Sequence, residues 1–430
     1  MKMINKKTVI LPLMGWVVIM AIATMDLKAQ DWPQWRGPNR EGIFKGTNLN
    51  LDWSEKKPSL SWTFRQAGAG YSAPTVVGTT LYCQGANEGN DFAFALDTRT
   101  GNVKWKQDLG AEFEESRGNG PRGSVTVDGD KLYLIRGGGQ IHCLSAADGK
   151  RIWQKDFVKD LGGKMMSGWG FSESPLIDGN LIICSPGGSE GTIIALDKST
   201  GATVWRTKEL TDNASHSSAI VAEVDGIRQY ILLTNKCVAG VTAKDGKLLW
   251  TAPIEGSRVS AVIPTPIYYN NMFYVTNAYV VGCFLVKLTR AGDKFNTEIA
   301  YANQNMLNQH GGVVLMNNYI YGYCDQGRSG SWVCQNFTTG ETVWSESNDY
   351  IGKGAILGVN DRLILFDMRT GLTVVVAAMP NEWKEFGRLE IPERSEIKTM
   401  DNCLWTHPVV ANGKLYLRDH DLLFCFDLQN

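Results

Sequence analysis

The sequence predicts an all-β fold built from repeated copies of one supersecondary unit, and three observations carry that prediction. A phrase of the form Leu-Asp-x-x-Thr-Gly-x-x-x-Trp recurs, most cleanly as ALDTRTGNVKW ending at Trp105 and ALDKSTGATVW ending at Trp205. Weaker copies, CLSAADGKRIW, GVTAKDGKLLW and CQNFTTGETVW, end at Trp153, Trp250 and Trp344. From Trp62 to Trp250 the interval between these tryptophans is 43 to 52 residues, and a period of that length means stacked units. The composition agrees: 46 glycines in 430 residues, 43% hydrophobic and 10% aromatic, with no helical periodicity beyond the N-terminus.

Along the chain, residues 1–29 read as a secretory signal peptide. Lys2, Lys6 and Lys7 precede an apolar stretch from Val9 to Ala23, and small Ala29 marks the cleavage point. Pro12 and Gly15 interrupt the stretch, which is short for a membrane anchor. Residues 30–430 then form a single domain. Trp32, Trp35 and Arg36 come before the first unit and either lie over one face of the ring or pack on its rim; rim packing is the expectation. Ser59–Phe64, SLSWTF, is a tryptophan strand with no unit before it.

Each following unit gives an apolar run, an Asp/Asn-Gly turn, a second run, a polar loop, and two strands joined by the Thr-Gly turn. SVTVDGDKLYLIRGGGQIHCLSAADGKRIWQKDF shows the order plainly. Four antiparallel strands of this size make one blade of a β-propeller, with glycine supplying the tight turns. The interval from Trp250 to Trp344 is about twice the period, so one copy there is degenerate: KLTRAGDKFNTEI keeps Gly292 at the turn and brings Phe295 near the wedge position. A further eroded copy ends around Trp383 and Phe386. Blade starts then number eight. The last unit runs out before its tryptophan strand, so the N-terminal strand is expected to complete the C-terminal blade and remove the open edges. The recurring tryptophans read as packing wedges between blades, not as a stacking surface.

Nine cysteines are scattered without a C-x-x-C or an adjacent pair, most of them inside apolar runs, where a small buried hydrophobe is the natural reading. Cys324 with Cys334 is the one disulfide to test. Lys and Arg total 43 against 44 acids, which excludes a global attraction for nucleic acid or anionic membrane. The Gly-rich GGGQ and SPGGSEG segments fall in hairpin loops, not before helices, and no G-x-S-x-G or H-E-x-x-H is present.

The repeat, together with DWPQWRGPNREG, GNGPRGSVTVDG, WGFSESPLIDG and NQHGGVVL, resembles the pyrroloquinoline-quinone-type (PQQ-like) β-propellers, in particular an exported and mostly uncharacterised bacterial subfamily. The resemblance covers nearly all of the chain after residue 29. It implies an eight-bladed propeller in the periplasm or outside the cell. It points in two functional directions, because the family includes both quinoprotein alcohol dehydrogenases and outer-membrane assembly propellers. The first implies PQQ held with calcium; such enzymes carry an adjacent cysteine pair, which this chain lacks.

Function should lie where the repeats differ. Aligning the first strand of each blade on its small or proline position (Pro74, Ser124, Pro175, Ser218, Pro266, Gly312, Ala355, Pro408) places Ser72, Arg122, Glu173, His216, Pro264, His310, Lys353 and Thr406 two residues earlier. In a propeller the innermost strands line the central channel, so this set forms a ring at one mouth. Arg122 and Lys353 are charge partners for an anionic or polyhydroxy ligand, and His216, Ser72 and Thr406 add polar contacts. Trp169 and Tyr71 offer flat surfaces for a sugar or quinone, and Glu173 and His310 are the acid–base candidates. Mutually neutralising charges at a hydrated mouth are the other reading, and a one-residue alignment error would disperse the ring. A metal site from His216, His310 and Glu173 is not expected.

These residues predict a small polar ligand at the channel mouth, a carbohydrate or alcohol before a quinone; oxidoreductase activity of the quinoprotein type is what the resemblance implies as its catalytic form. A non-catalytic scaffold that grips partner proteins is the alternative.

Overall fold

The computed structural model describes residues 31–254, 261–279, 281–326 and 330–429, and there it is an all-β, eight-bladed propeller. The first blade shows the unit: Thr75–Val77, Thr80–Asn87, Asn90–Asp97 and Val103–Ala111 pair in sequence, all antiparallel. Blades two to seven follow at 126–156, 176–206, 220–253, 267–303, 313–346 and 354–389. The eighth uses both ends of the domain. Val409–Ala411, Lys414–Asp419 and Leu422–Asp427 are completed by Ser59–Phe64, with Trp62 opposite Cys425. That closure is the one expected from the truncated last unit. The leader read at 1–29 lies outside the described residues.

The recurring phrase turns out to be an interlock between neighbours. Trp62, Trp105 and Trp153 donate their indole N–H to the next blade, to the carbonyls of Thr98, Ala146 and Lys198 at 2.9–3.1 Å. The turn glycine of that next blade lies on the ring: a Cβ on Gly101, Gly149 or Gly201 would come within 2.6–2.9 Å of the indole. Those glycines also have φ near +70°, so the turn and the close approach both require the same residue. The glycine of one repeat is thus selected by the tryptophan of the repeat before it.

In the fifth blade Tyr301, not Phe295, takes the wedge. It pairs with Leu285 at the same bulge where Trp105 pairs with Ala95, its hydroxyl donates to Phe337 O at 2.9 Å, and Gly340 packs on its ring. Phe295 pairs with Arg290 nearer the hairpin turn and joins the core around Trp250. The seventh blade has Gly387 at the wedge position, one residue after Phe386, and its Cβ space is filled by the backbone of Trp53. A residue from the N-terminal segment fills the gap that the eroded repeat leaves.

All nine cysteines are buried and unpaired, so the Cys324–Cys334 disulfide does not form. The register sets Cys334 opposite Tyr321 and Cys324 opposite Ser331. The two are three positions apart along neighbouring strands, about 10 Å, beyond the reach of a disulfide.

Residues 31–44 do not pack on the rim. They enter the axial channel and touch the inner part of every blade. Trp32 bridges Val76, Pro33 accepts from Val127 N, Trp35 donates to Thr265 Oγ1, and Trp35 meets His407 edge-on at 4.6 Å. Arg36 donates to Val313 O, Arg40 to the carbonyls of Pro175 and Ala219, and Ile43–Phe44 adds a parallel strand inside the seventh blade. Both arginines have φ of +60°, a left-handed conformation uncommon outside glycine, which coils the segment tightly enough to fit. Burial lowers their pKa values to about 10 and about 9, offset by Glu41 and Glu173 respectively. The channel is therefore a cup, closed below and open above.

Candidate functional site

Above this plug lies a cavity of about 370 Å³. Its lining reveals a regularity in the inner strands. In blades two, four, six and seven, where Ser124, Ser218, Gly312 and Ala355 hold the alignment position, the residue two places earlier faces the cavity: Arg122, His216, His310 and Lys353. In blades one, three, five and eight the alignment position is proline, and the facing residue stands three places earlier: Tyr71, Ser172, Ile263 and Trp405. Proline fixes its own φ and confines the preceding residue to extended conformations, which accords with a one-place shift of the pleat.

This shift corrects three of the predicted positions. Ser72 is wholly buried behind Tyr71 and its carbonyl accepts from Arg418; Thr406 is buried one place past Trp405. Glu173 is also turned away. Its carboxylate accepts from Ser185 N at 2.6 Å and Ser185 Oγ at 3.0 Å inside the third blade, and burial raises its pKa to about 7. None of the three lines the cavity. Tyr71, Arg122, Trp169, His216, His310 and Lys353 are brought together there.

Each of these has a distinct environment. Arg122 is held from behind, donating to Gly118 O and Gly120 O, with Glu115 at 3.8 Å and the Phe113 ring 4.9 Å from its guanidinium carbon. His216 sits between two hydroxyls, Ser167 at 3.0 Å from Nε2 and Ser172 at 2.9 Å from Nδ1, and stacks on Trp169. Burial and the nearby Arg122 lower its pKa to about 3, so it is neutral near pH 7. Lys353 donates to Asp325 and Gln309. Tyr71 donates to Arg117 O at 2.5 Å, and burial raises its pKa to about 12.

His310 differs from all of them. Its ring is 8% exposed, lies beside Trp405 and His407, and neither nitrogen has a hydrogen-bond partner among the described residues. Burial, with His407 and Lys353 nearby, holds its pKa well below the ordinary value. A neutral imidazole offers one donor and one acceptor, and here both are unspent.

Sequence comparison of inner strands missed Trp405, Arg117, Arg369 and Asp401, which also line the cavity. Trp405 follows from the proline register. Arg117 and Asp401 come from loops between blades, for which the sequence carries no periodic signal, and Arg369 from the Asp367–Gly371 turn inside the seventh blade.

The donor set does not fit a calcium-held quinone. Glu115 and Asp401, the carboxylates lining the cavity, lie 3.8 Å from Arg122 and 3.4 Å from Arg117, and Glu173 points elsewhere. Among the described residues no three His, Cys, Asp or Glu side chains gather as metal ligands. Cys403, the one cysteine that lines the cavity, is unpaired.

Comparison with known proteins gives the same double resemblance as the residues. The chain is 24% identical over 211 residues to an outer membrane protein assembly factor BamB of Yersinia pestis, and 28% identical over 156 residues to a lanthanide-dependent methanol dehydrogenase of Methylacidiphilum fumariolicum. These alignments cover 47% and 34% of this chain, and only 50% and 24% of the relatives' lengths. Among solved structures, BamB from Moraxella catarrhalis matches with a TM-score of 0.55 at 16% identity, covering 84% of this chain and 97% of that one. A quinohemoprotein alcohol dehydrogenase from Comamonas testosteroni matches with a TM-score of 0.63 at 11% identity, covering 93% and 80%. At such identities the likeness concerns the fold alone. The family model described as outer membrane protein assembly factor BamB matches residues 92–346, more than half of the chain, and the protein belongs to that family of PQQ-like repeat propellers.

Proposed function

We propose that this protein binds a small polyhydroxylated ligand, a carbohydrate, in the axial cup. The observation that carries the reading is His310: a nearly buried imidazole with both nitrogens unpartnered, facing a cavity walled by Trp35, Tyr71, Trp169 and Trp405. A buried polar group left unpaired costs about 1–3 kcal/mol, and a ligand hydroxyl that bonds one of the ring nitrogens would reduce that cost. Flat rings with a few convergent polar groups suit the alternating apolar faces and hydroxyl edges of a sugar.

Titration of tryptophan fluorescence with neutral and acidic mono- and oligosaccharides is expected to give a saturable change that Trp405→Ala abolishes. No response to any of these sugars would overturn the reading. Dye-coupled oxidation after incubation with PQQ and calcium is expected to stay at background, because the cavity lacks the ligand set.

A protein-binding role rests on a separate observation. The strands that carry the wedge expose an apolar residue one or two places before it in several blades, among them Leu60, Val103, Val204 and Val343. Family membership with an assembly factor favours a partner on such blade edges. Affinity capture that is lost on Val103→Lys with Val204→Lys, but survives Trp405→Ala, would separate this surface from the cup. Export is proposed on residues 1–29; a secreted or periplasmic product beginning at Gln30 is the expected mass-spectrometric result. Among the described residues no helix is long and apolar enough to cross a membrane.

A further inference from the structure

We propose that the ligand is an acidic oligosaccharide spanning two cavities, with a ring in the aromatic cup and a carboxylate- or sulfate-bearing unit in a second cavity beside it. The inference rests on the carbohydrate reading and extends it. The second cavity, about 360 Å³, shares Arg369 and Asp401 with the cup, so the two adjoin across these side chains. Together they exceed what a monosaccharide fills.

The charge follows from which cations around the cleft are already paired. Arg122 faces Glu115, Arg117 faces Asp401, Lys353 faces Asp325, and Arg394 holds Asp419 at 2.6 Å. Arg369 and Lys398 remain. Both line the second cavity, both are exposed, and neither side chain has a hydrogen bond or ion pair among the described residues. An unpaired guanidinium and an unpaired ammonium in one lining offer charge-assisted hydrogen bonds to a carboxylate or sulfate.

A second, independent observation bears on this cavity. His420 lines it, is 5% exposed, and its Nδ1 is buried without a partner among the described residues. Its ring lies 5.0 Å from that of Tyr71, which lines the cup, so one aromatic pair forms part of the partition between the cavities. Each cavity therefore contributes an unspent imidazole nitrogen. His420 also keeps a left-handed backbone, with φ of +48°, although it is not glycine. Strain of this kind persists where the surroundings hold it in place.

The test uses the full chain and three tetrasaccharides by calorimetry: a neutral β-glucan tetramer, a tetragalacturonate and a sulfated tetrasaccharide. The expected result is at least one acidic ligand binding about tenfold tighter than the neutral one at low salt, the preference shrinking as salt rises. The acidic arm that binds more tightly identifies carboxylate or sulfate. In Arg369→Gln with Lys398→Gln, exposed substitutions whose fold is checked by melting temperature, the ratio of acidic to neutral affinity is expected to fall to about one. Equal affinity for neutral and acidic tetramers in the unaltered protein would overturn the inference while leaving carbohydrate binding intact, and so would a preference that survives the double variant. Failure of every sugar to bind would overturn the underlying reading and this one with it.

Discussion

The two ends of the axial channel hold similar residue types in opposite states. Below, Arg36 and Arg40 are wholly buried, yet they spend their donors on backbone carbonyls of Arg40, Glu41, Val313, Ser174, Pro175 and Ala219. Above, His310 is almost as buried and spends nothing. Burial alone therefore does not separate scaffold from site. A buried polar group that is fully bonded serves the fold, whereas one left unbonded at a cavity is the place to test for a ligand.

The largest expected effect probes the lower end. Arg40→Met leaves Pro175, Ser174 and Ala219 carbonyls without their donor, and chemical denaturation is expected to show a loss of about 3–5 kcal/mol. A loss below about 1 kcal/mol would break the contrast between the ends. Arg122 sits at the mouth but is bonded like a scaffold residue, to Gly118 and Gly120 carbonyls. Arg122→Met should cost about 2 kcal/mol as well as ligand affinity, so it is not a clean probe of binding.

Glu173 allows a test by pH. Burial raises its folded pKa from 4.5 to about 7, so the protein favours its protonated form, and the stability this contributes is present below about pH 4.5 and lost as pH rises toward 7. Melting temperature of the unaltered protein should therefore decline relative to Glu173→Gln across that window. His216 and His407, lowered to about 3 and about 4, have the opposite sign and withdraw stability as pH falls below 6.5. Both are present in each protein and cancel in the difference. A pH-independent difference would show that Glu173 is ionised throughout.

The smallest effect sharpens the upper end. His310→Leu removes an unpaired polar group and should change stability by no more than about 1 kcal/mol, toward greater stability, while abolishing the fluorescence response to sugar. A large destabilisation would mean that His310 has a structural partner.

Much of this was legible in the repeat. The Trp and Gly of the phrase act at a fixed spacing, so they count the blades, and the truncated last unit with its orphan strand at Trp62 announces how the ring closes. The degenerate blade was harder. Tyr301 follows a bulge whose offset has no sequence mark, and Phe295 stood nearer the turn. The mouth residues were half legible for the same reason: a ring read at one fixed offset captures Arg122, His216, His310 and Lys353, and loses Trp405 to the proline register.

By itself the sequence determined what depends on local periodicity: the strand order within a blade, the number of blades, the interlock of Trp with Gly, and closure by the N-terminal strand. Tertiary structure alone decided where non-repeating segments go. No period marks residues 31–44, and only the inner strands of all eight blades together create the channel they fill. The same holds for the cup and its neighbour. Their loops come from distant parts of the chain, and whether an arginine or histidine there is bonded or unspent depends on distances that arise only when the ring has closed.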